Sequence, residues 1–418
     1  MGNQPSLKRT VGLAGAVTLG LGSIFGTGVF ISLGLAVGVV GDWALIALII
    51  AAILATCNAL SSAQLATNHP VSGGTYAYGR HYISDEIGFT AGLSFLLAKS
   101  TSAAAAAIGV VSYGVHVLGL TVAVNIVAAL VAIVMTALVL LGLKRANAVN
   151  TVLVGVTMVA LITLIITAIG VDPKMPVSLS ALHAPNLFEA AALIFVAFTG
   201  YGRIATLGEE ITDPQRTIPR AIIITLILST LIYGGVLWAG LSTIGAERYA
   251  ALTAADASPL RNIALSMGVP YLAGFIAVAA VTAMAGVLLN LILGLSRVAF
   301  AMGRDRELPA ILGRLNARQD PSIAVMAIGL FIACLGLFGG LTWVWSFSAS
   351  TVLIYYGITN WAALRLSDEQ RLYPRIISWV GLIGCLGLAV FIDWRVIITG
   401  TIILLIGLFI RQLVKAPR

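Results

Sequence analysis

Three glycines interrupt the first long apolar segment of the chain, and they constrain the fold more than any other feature. They lie in the run Gly22-Ser23-Ile24-Phe25-Gly26-Thr27-Gly28-Val29-Phe30. Glycine is unfavourable inside a helix, so the helix is predicted to break near the middle of this segment. A bilayer tolerates a broken backbone only where it is buried in protein or lines a polar cavity. The exposed N–H and C=O ends of such a break are typical of the substrate site of a secondary transporter.

The composition places the chain in a lipid bilayer. Of its 418 residues, 59% are hydrophobic and 10% are charged, whereas about a quarter of the residues of a soluble domain are charged. The cysteines Cys57, Cys334 and Cys385 all lie in apolar segments, so neither a disulfide framework nor a metal cluster is expected. The predicted fold class is all-α integral membrane protein, without a soluble domain, a metal site or a cofactor.

Apolar runs of about 18–25 residues mark the predicted membrane spans. Twelve such runs lie at 11–40, 43–67, 87–116, 121–143, 148–170, 187–207, 221–245, 270–300, 322–340, 342–364, 374–392 and 395–413. They are predicted to form a single membrane domain over residues 1–418.

Lysine and arginine are concentrated in the loops on one side of the predicted membrane. Only Lys174, Arg248, Arg261 and Arg395 fall in loops on the other side. Loops rich in positive charge face the cytoplasm, so both termini are predicted to be cytoplasmic in a multi-pass protein of the cell membrane. The formal net charge of +8 is thus explained by topology, and nucleic acid is not an expected partner.

A second glycine-interrupted segment lies in the sixth predicted span, at Phe195-Val196-Ala197-Phe198-Thr199-Gly200-Tyr201-Gly202. Interruptions at matching positions of two halves point to inverted repeats with a binding site between them. The first five-helix repeat is predicted at 11–170 and the inverted second repeat at 186–365. Two additional helices at 374–413 are candidates for a homodimer contact. The alternative interpretation is that these glycines only allow close helix packing.

Four motifs, in matching order, resemble the amino acid–polyamine–organocation (APC) superfamily of permeases. The first is Gly22 to Phe30, and the second is Pro70-Val71-Ser72-Gly73-Gly74-Thr75-Tyr76-Ala77-Tyr78 after span two. The third combines Phe195 to Gly200 with Glu209-Glu210 and the run Pro214 to Arg220. The fourth lies between Gly294 and Pro309. The resemblance extends to about residue 365. It implies a LeuT-like 5+5 inverted repeat with broken helices 1 and 6.

The resemblance also implies a substrate site at the two breaks, for an amino acid or a related small organic solute. The substrate carboxylate would meet N–H groups and the hydroxyl around Thr27 and Gly28, with Ser23 and Gly26 shaping the turn. The ammonium would meet the carbonyl of Ile24 and those of the sixth-span segment. The residues implied in that segment are Phe195, Val196, Ala197, Phe198, Thr199 and Gly200. Exposed N–H ends attract anions and exposed C=O ends attract cations, in agreement with this assignment.

Two further residues bear on the predicted pocket. Relatives often carry an aromatic lid at the position of Val196, so either Phe195 or Phe198 is expected to cover the substrate, or the pocket is larger. Asn290 lies mid-span in the eighth helix. It is interpreted either as a coupling or gating residue or as an interhelical hydrogen-bond partner.

Two basic residues, Lys99 and Arg203, fall within predicted spans, and no acidic residue is expected within one. A charge near the bilayer centre costs at least about 2.5–3.5 kcal/mol, so such residues persist where they face a cavity, are paired or have a function. Lys99 has three interpretations: it carries a coupled proton, it bonds the carbonyls of the broken helix as a fixed cation, or it snorkels to the cytoplasm. Arg203 is either a site or gate residue or a structural partner.

Two groups of residues are assigned to the membrane faces. Trp343, Trp345 and Trp394 are predicted to belong to the outer aromatic belt. Glu209 and Glu210, with nearby arginines, are predicted to form a cytoplasmic ion-pair gate, and the alternative is a solvated loop.

Together these features predict a secondary transporter that moves amino acids by alternating access. Neutral amino acids are favoured because no intramembrane acid would balance a cationic substrate. Proton coupling is expected, and amino acid exchange and organic-anion transport are the alternatives. A channel, a membrane enzyme and a non-transporting membrane sensor are alternatives of other classes, but no clustered nucleophile, base or metal ligands favour an enzyme. The expected partners are a small-molecule substrate, a proton and the lipid bilayer.

Overall fold

The computed structural model describes residues 11–69, 73–141, 146–171, 183–206, 211–256, 258–316 and 320–415. Within these ranges the chain is helical and forms no strand, apart from an isolated bridge between Val11 and Ile211. The α-helices, in chain order, are α1 (Leu13–Ile24), α2 (Leu33–Val40), α3 (Ala44–Asn68), α4 (Thr75–Tyr82), α5 (Asp85–Leu118), α6 (Val124–Leu140), α7 (Ala146–Ile169), α8 (Ala184–Phe198), α9 (Gly202–Thr206), α10 (Pro214–Ile244), α11 (Ala246–Asp256), α12 (Pro259–Ser266), α13 (Pro270–Arg304), α14 (Ser322–Phe338), α15 (Leu341–Leu364), α16 (Arg375–Val390) and α17 (Trp394–Lys415).

Local sequence explains where the long helices begin and end. The side chain of Ser84 accepts the N–H of Ile87 and caps α5, and Asp85 and Glu86 occupy its first turn, where negative charge is favourable. The helix stops at Gly119, whose φ of 64° is the left-handed conformation that glycine adopts without strain. The 34 residues between these signals form one continuous helix.

Seven helical segments among the described residues are long and apolar enough to cross a membrane. They are Gly28–Asn68, Asp85–Val115, Thr151–Ile169, Ala184–Ile204, Pro214–Ile244, Pro270–Arg304 and Trp394–Gln412. All twelve predicted spans coincide with helical structure, but α1, α6, α14 and α16 are shorter apolar helices and α15 is not among the seven. The chain is therefore an all-helical, multi-pass protein, and the count of twelve spans stays a prediction.

The centre of the helical bundle is formed by α5, α8 and α15. Buried residues make up 89% of the most apolar window of α5 and only 22% of that of α17. Helix α5 packs along α13 and α15, and α3 packs against α8 and α10. Large apolar side chains such as Ile166, Ile383 and Phe409 are exposed on the outer helices. A lipid-facing surface is expected to be apolar in this way.

Glu189 falls inside the predicted span 187–207, so the expectation that no acidic residue would lie within a span is wrong. Glu189 is half-buried in the second turn of α8, inside the apolar segment Ala184–Ile204. A single carboxylate near a helix end is tolerated because its side chain can reach the polar interface.

Candidate functional site

The first helix breaks where the glycine pattern predicts. Helix α1 ends at Ile24, and Phe25 has extended backbone angles, with φ −78° and ψ 92°. The chain resumes helical structure through a π-helical turn, Gly28–Ser32, which leads into α2. The first N–H groups of a helix have no carbonyl one turn earlier to bond, and they attract anions. The break therefore places donor groups around Thr27 and Gly28.

Thr27 adds a side-chain donor at the same point. Its side chain is 3% exposed, and its hydroxyl has no hydrogen-bond partner among the described residues. A buried hydroxyl without a partner costs free energy, of the order of 1–3 kcal/mol, unless a ligand or water bonds it. This hydroxyl is the strongest sign that a polar ligand belongs at the break.

The second glycine-interrupted segment interrupts its α-helix where the glycine pattern predicts, at Phe198, but the backbone does not unwind as it does at the first break. After α8 the chain tightens into a 3₁₀ turn, Thr199–Tyr201, and continues as α9 with helical backbone angles. The reason is visible at Gly200, where a Cβ atom would overlap the main chain of Ser23. Gly200 thus allows the end of α1 to approach α8 closely, which was the alternative interpretation of these glycines.

The carbonyl groups at these two segments already accept hydrogen bonds. The hydroxyl of Tyr233, from α10, lies 3.1 Å from the Ile24 oxygen and 3.2 Å from the Ala197 oxygen. The Thr199 hydroxyl donates to the Val196 oxygen at 2.6 Å. The hydroxyl of Tyr356 donates to the Thr199 carbonyl at 3.3 Å.

A cavity of about 270 Å³ opens beside both segments. Twelve of the predicted site residues line it: Ser23, Ile24, Gly26, Thr27, Gly28, Lys99, Val196, Ala197, Thr199, Gly200, Arg203 and Asn290. Drug-sized ligands occupy pockets of about 300–1,000 Å³, so this volume suits a molecule the size of an amino acid.

Phe195 and Phe198 do not line the cavity, so the prediction that one of them covers the substrate is wrong. Both side chains are fully buried. Phe195 packs edge-on against Tyr356, and Phe198 packs against Tyr233, with 5.2 Å between ring centroids. Phe195 thus packs behind Tyr356, which does line the cavity.

Lys99, in the middle of α5, bonds to the sixth-span segment. Its Nζ donates to the Thr199 hydroxyl at 2.6 Å, and the residue is only 9% exposed. The snorkelling interpretation is therefore wrong, because the amine is held inside the bundle. No ion pair found among the described residues involves Lys99.

Arg203 and Asn290 both face the cavity from different helices. Arg203 is half-buried in α9, and its guanidinium lies close to Gly294 of α13. Asn290, also half-buried, lines the cavity from α13. The basic residues lining the cavity are Lys99, Arg203 and Arg297, and no aspartate or glutamate is among its described lining residues.

An aromatic and hydroxyl-rich wall was not anticipated from the sequence. Its members on α4, α5 and α15 are Tyr76, Phe95, Ser102, Trp345, Tyr355 and Tyr356. The signal that was available is the composition of α15, where Ser, Thr, Tyr and Trp replace the aliphatic residues of an ordinary span. Such a helix is expected inside the bundle rather than against lipid.

Trp345 belongs to this wall and not to the outer aromatic belt, which corrects its predicted place. It is 2% exposed, and its indole N–H donates to the Leu193 oxygen at 3.0 Å. The Ser32 hydroxyl donates to the same oxygen at 2.9 Å. Trp343 and Trp394, by contrast, are exposed.

A polar cluster lies where the cavity meets α4 and the end of α13. The Tyr76 hydroxyl and Arg80 Nη1 each lie 2.7 Å from the Asp305 carboxylate, and Arg80 also pairs with Asp85 at 2.9 Å. Burial, together with the hydrogen bond to Asp305, raises the pKa of Tyr76, so its hydroxyl stays a donor. The predicted gate residues Glu209 and Glu210 lie outside the described residues.

Comparison with known proteins gives the family. The family described as amino acid permease matches residues 15–417. The chain belongs to the amino acid permease family. This family is part of the APC superfamily, so the chain is a membrane transporter of small molecules and not an enzyme.

Relatives of this permease carry transporter names. A protein of Mycobacterium tuberculosis named as an uncharacterized transporter is 38% identical over 96% of this chain and 90% of its own length. The branched-chain amino acid permease BcaP of Bacillus subtilis is 28% identical over 97% of this chain and 93% of its own length. The methylthioribose transporter of Bacillus subtilis is 28% identical over 74% of this chain and 70% of its own length.

Proposed function

We propose that this permease moves small carboxylate-bearing solutes, neutral amino acids first among them, across the cell membrane by alternating access at the cavity beside the α1 break. The observation that carries the proposal is Thr27, which lines that cavity and whose buried hydroxyl lacks a partner among the described residues. A carboxylate bound there would satisfy it together with the N–H groups at the start of the resumed helix.

The charges around the cavity support a substrate without net positive charge. Lys99 and two arginines line it, without an acidic residue among the described lining positions. A cationic amino acid would be repelled by these groups and find no counter-charge. A branched-chain amino acid permease among the relatives supports an apolar side chain, for which the aromatic wall is suited.

Proton coupling is the second part of the proposal, with Lys99 as its carrier. Of the basic residues lining the cavity, only lysine can exchange a proton readily, because arginine stays charged. The alternative is amino acid exchange, with Lys99 as a permanent cation on Thr199.

Alternating access would use the predicted 5+5 repeat, with both termini in the cytoplasm. Helices α5 and α13, the third and eighth spans, occupy corresponding places in the two proposed repeats and pack against each other beside the cavity. The lining residues Gly74, Tyr76 and Arg297 lie toward the predicted cytoplasmic side, which supports an inward-facing state. On the opposite side, Trp345 and Ser32 both donate to the Leu193 carbonyl of α8. These bonds would keep α8 packed against its neighbours and so close the cavity on that side.

Uptake into proteoliposomes tests this proposal. A panel of labelled neutral, acidic and basic amino acids would be offered with and without an inward proton gradient, with protein-free liposomes as control. Gradient-driven accumulation of neutral amino acids is expected. Uptake only into preloaded vesicles would replace coupling by exchange. Saturable binding without any uptake or counterflow would contradict transport and favour the sensor interpretation.

A further inference from the structure

Most of the acceptor groups assigned to a substrate ammonium are already bonded within the protein. The hydroxyl of Tyr233 lies within reach of the Ile24 and Ala197 carbonyls and shares its one proton between them, and the Thr199 hydroxyl donates to the Val196 carbonyl. The side chains that donate these bonds are buried, so they are held in place without a bound substrate. An incoming ammonium would have to share these oxygens rather than fill a vacant set of acceptors.

The same place already holds an ammonium group. Lys99 Nζ lies 2.6 Å from the Thr199 hydroxyl, which has given its own proton to Val196 and so acts as an acceptor. Lys99 lines the cavity, and none of the ion pairs among the described residues gives it a carboxylate partner. A second ammonium beside it would meet a like charge in a poorly hydrated site, where repulsion is strong.

At the α1 break, where the substrate carboxylate is proposed to bind, donor groups of the described residues lack partners. There the hydroxyl of Thr27 is buried and lacks a partner among the described residues. The helix resumes at the same point, and the first N–H groups of a helix have no carbonyl one turn earlier to bond. A carboxylate would thus gain new hydrogen bonds, whereas an ammonium would gain few.

From this contrast we infer that the permease recognises its substrate by the carboxylate and does not require the α-ammonium, because protonated Lys99 supplies an ammonium at Thr199 while the substrate is bound. The substrate class is then small monocarboxylates with an apolar side chain, including 2-hydroxy and 2-oxo acids beside the amino acids themselves. This inference rests on the proposed function, since it needs the carboxylate to bind at the α1 break.

Three ligands with the same apolar side chain distinguish recognition of the carboxylate from recognition of the ammonium. Binding of L-leucine, its 2-hydroxy acid analogue and 3-methylbutylamine would be measured by calorimetry on the purified full-length protein. The hydroxy acid is expected to bind within about threefold of leucine, and the amine not to bind. A hydroxy acid that binds more than about thirtyfold more weakly than leucine overturns the inference and leaves the proposed function standing. No binding of either carboxylate overturns both.

Replacing Lys99 tests whether this residue is the reason that the substrate α-ammonium is not required. In Lys99→Met the substrate ammonium can take the place of Nζ at Thr199, so the preference for leucine over the hydroxy acid should rise about tenfold. Thr101→Val is the matched control, because Thr101 is buried on the same helix but bonds the Leu97 carbonyl and does not line the cavity. An unchanged preference in Lys99→Met, with the control also unchanged, overturns the inference. Should that variant fail to fold, the wild-type affinities of the three ligands decide alone.

Discussion

Replacing Thr27 by valine should move binding and stability in opposite directions. The Thr27 hydroxyl is buried without a partner among the described residues, so the nearly isosteric valine removes an unsatisfied polar group. Unfolding should therefore become no easier, and up to about 1–3 kcal/mol harder. A hydrogen bond to a charged group contributes about 1.5–3 kcal/mol, so loss of the bond to a carboxylate should weaken substrate binding by about 10- to 150-fold.

The assay pairs calorimetric affinity for the transported carboxylate with the melting temperature of the same preparation. Thr136→Val is the matched control, since Thr136 is also buried but bonds the Ala132 carbonyl of its own helix, α6, away from the cavity. That variant should bind as the wild type does. A Thr27→Val protein that binds the carboxylate as tightly as the wild type would refute the anion site. A large drop in its melting temperature would show that the hydroxyl has a structural partner.

Three further variants test other parts of the account. Gly200→Ala places a methyl group against the main chain of α1 and should destabilise the protein by about 1–3 kcal/mol. Gly155→Ala, inside α7 with open space around it, should not lower the melting temperature. Arg411→Met leaves the fully buried Glu307 carboxylate without this ion-pair partner and should lower the free energy of unfolding by about 3–5 kcal/mol. Adding Glu307→Gln removes the buried charge and should restore much of that stability, as measured by thermal unfolding. Lys99→Met should abolish the pH dependence of uptake, and normal transport with the wild-type pH profile would eliminate Lys99 as the proton carrier.

The first half of the site was readable from sequence because glycine has a direct backbone effect. The run around Gly26 predicted a break, and the chain leaves helical geometry at Phe25. At Gly200 the same residue type left two interpretations open, since glycine serves a break and a close backbone contact equally well. The distinction depends on Ser23, almost 180 residues away, whose main chain occupies the space.

Side-chain partners across the bundle were beyond sequence reasoning for a similar reason. The polar patch around Lys99 predicted an interior position, but its bond to Thr199 joins residues 100 positions apart. Trp345 fitted the aromatic-belt pattern because it lies near a helix end. Its indole N–H instead donates to the Leu193 carbonyl inside the bundle, a partner more than 150 residues away that the local sequence does not indicate. Hydropathy places helices in a membrane, and it carries no information on which face meets which neighbour.

The central claim, that a small carboxylate occupies the cavity at the α1 break, is tested most directly by substrate protection. In a protein whose three native cysteines are replaced by alanine, Asn290→Cys places a thiol in the cavity, and Leu315→Cys places one in an exposed loop. Labelling by a small membrane-permeant maleimide would be timed with and without saturating substrate. We expect the substrate to slow labelling at position 290 at least about tenfold and leave position 315 unchanged, as occupancy of one site requires. Equal labelling rates at position 290 with and without a substrate that the same protein transports would contradict the claim.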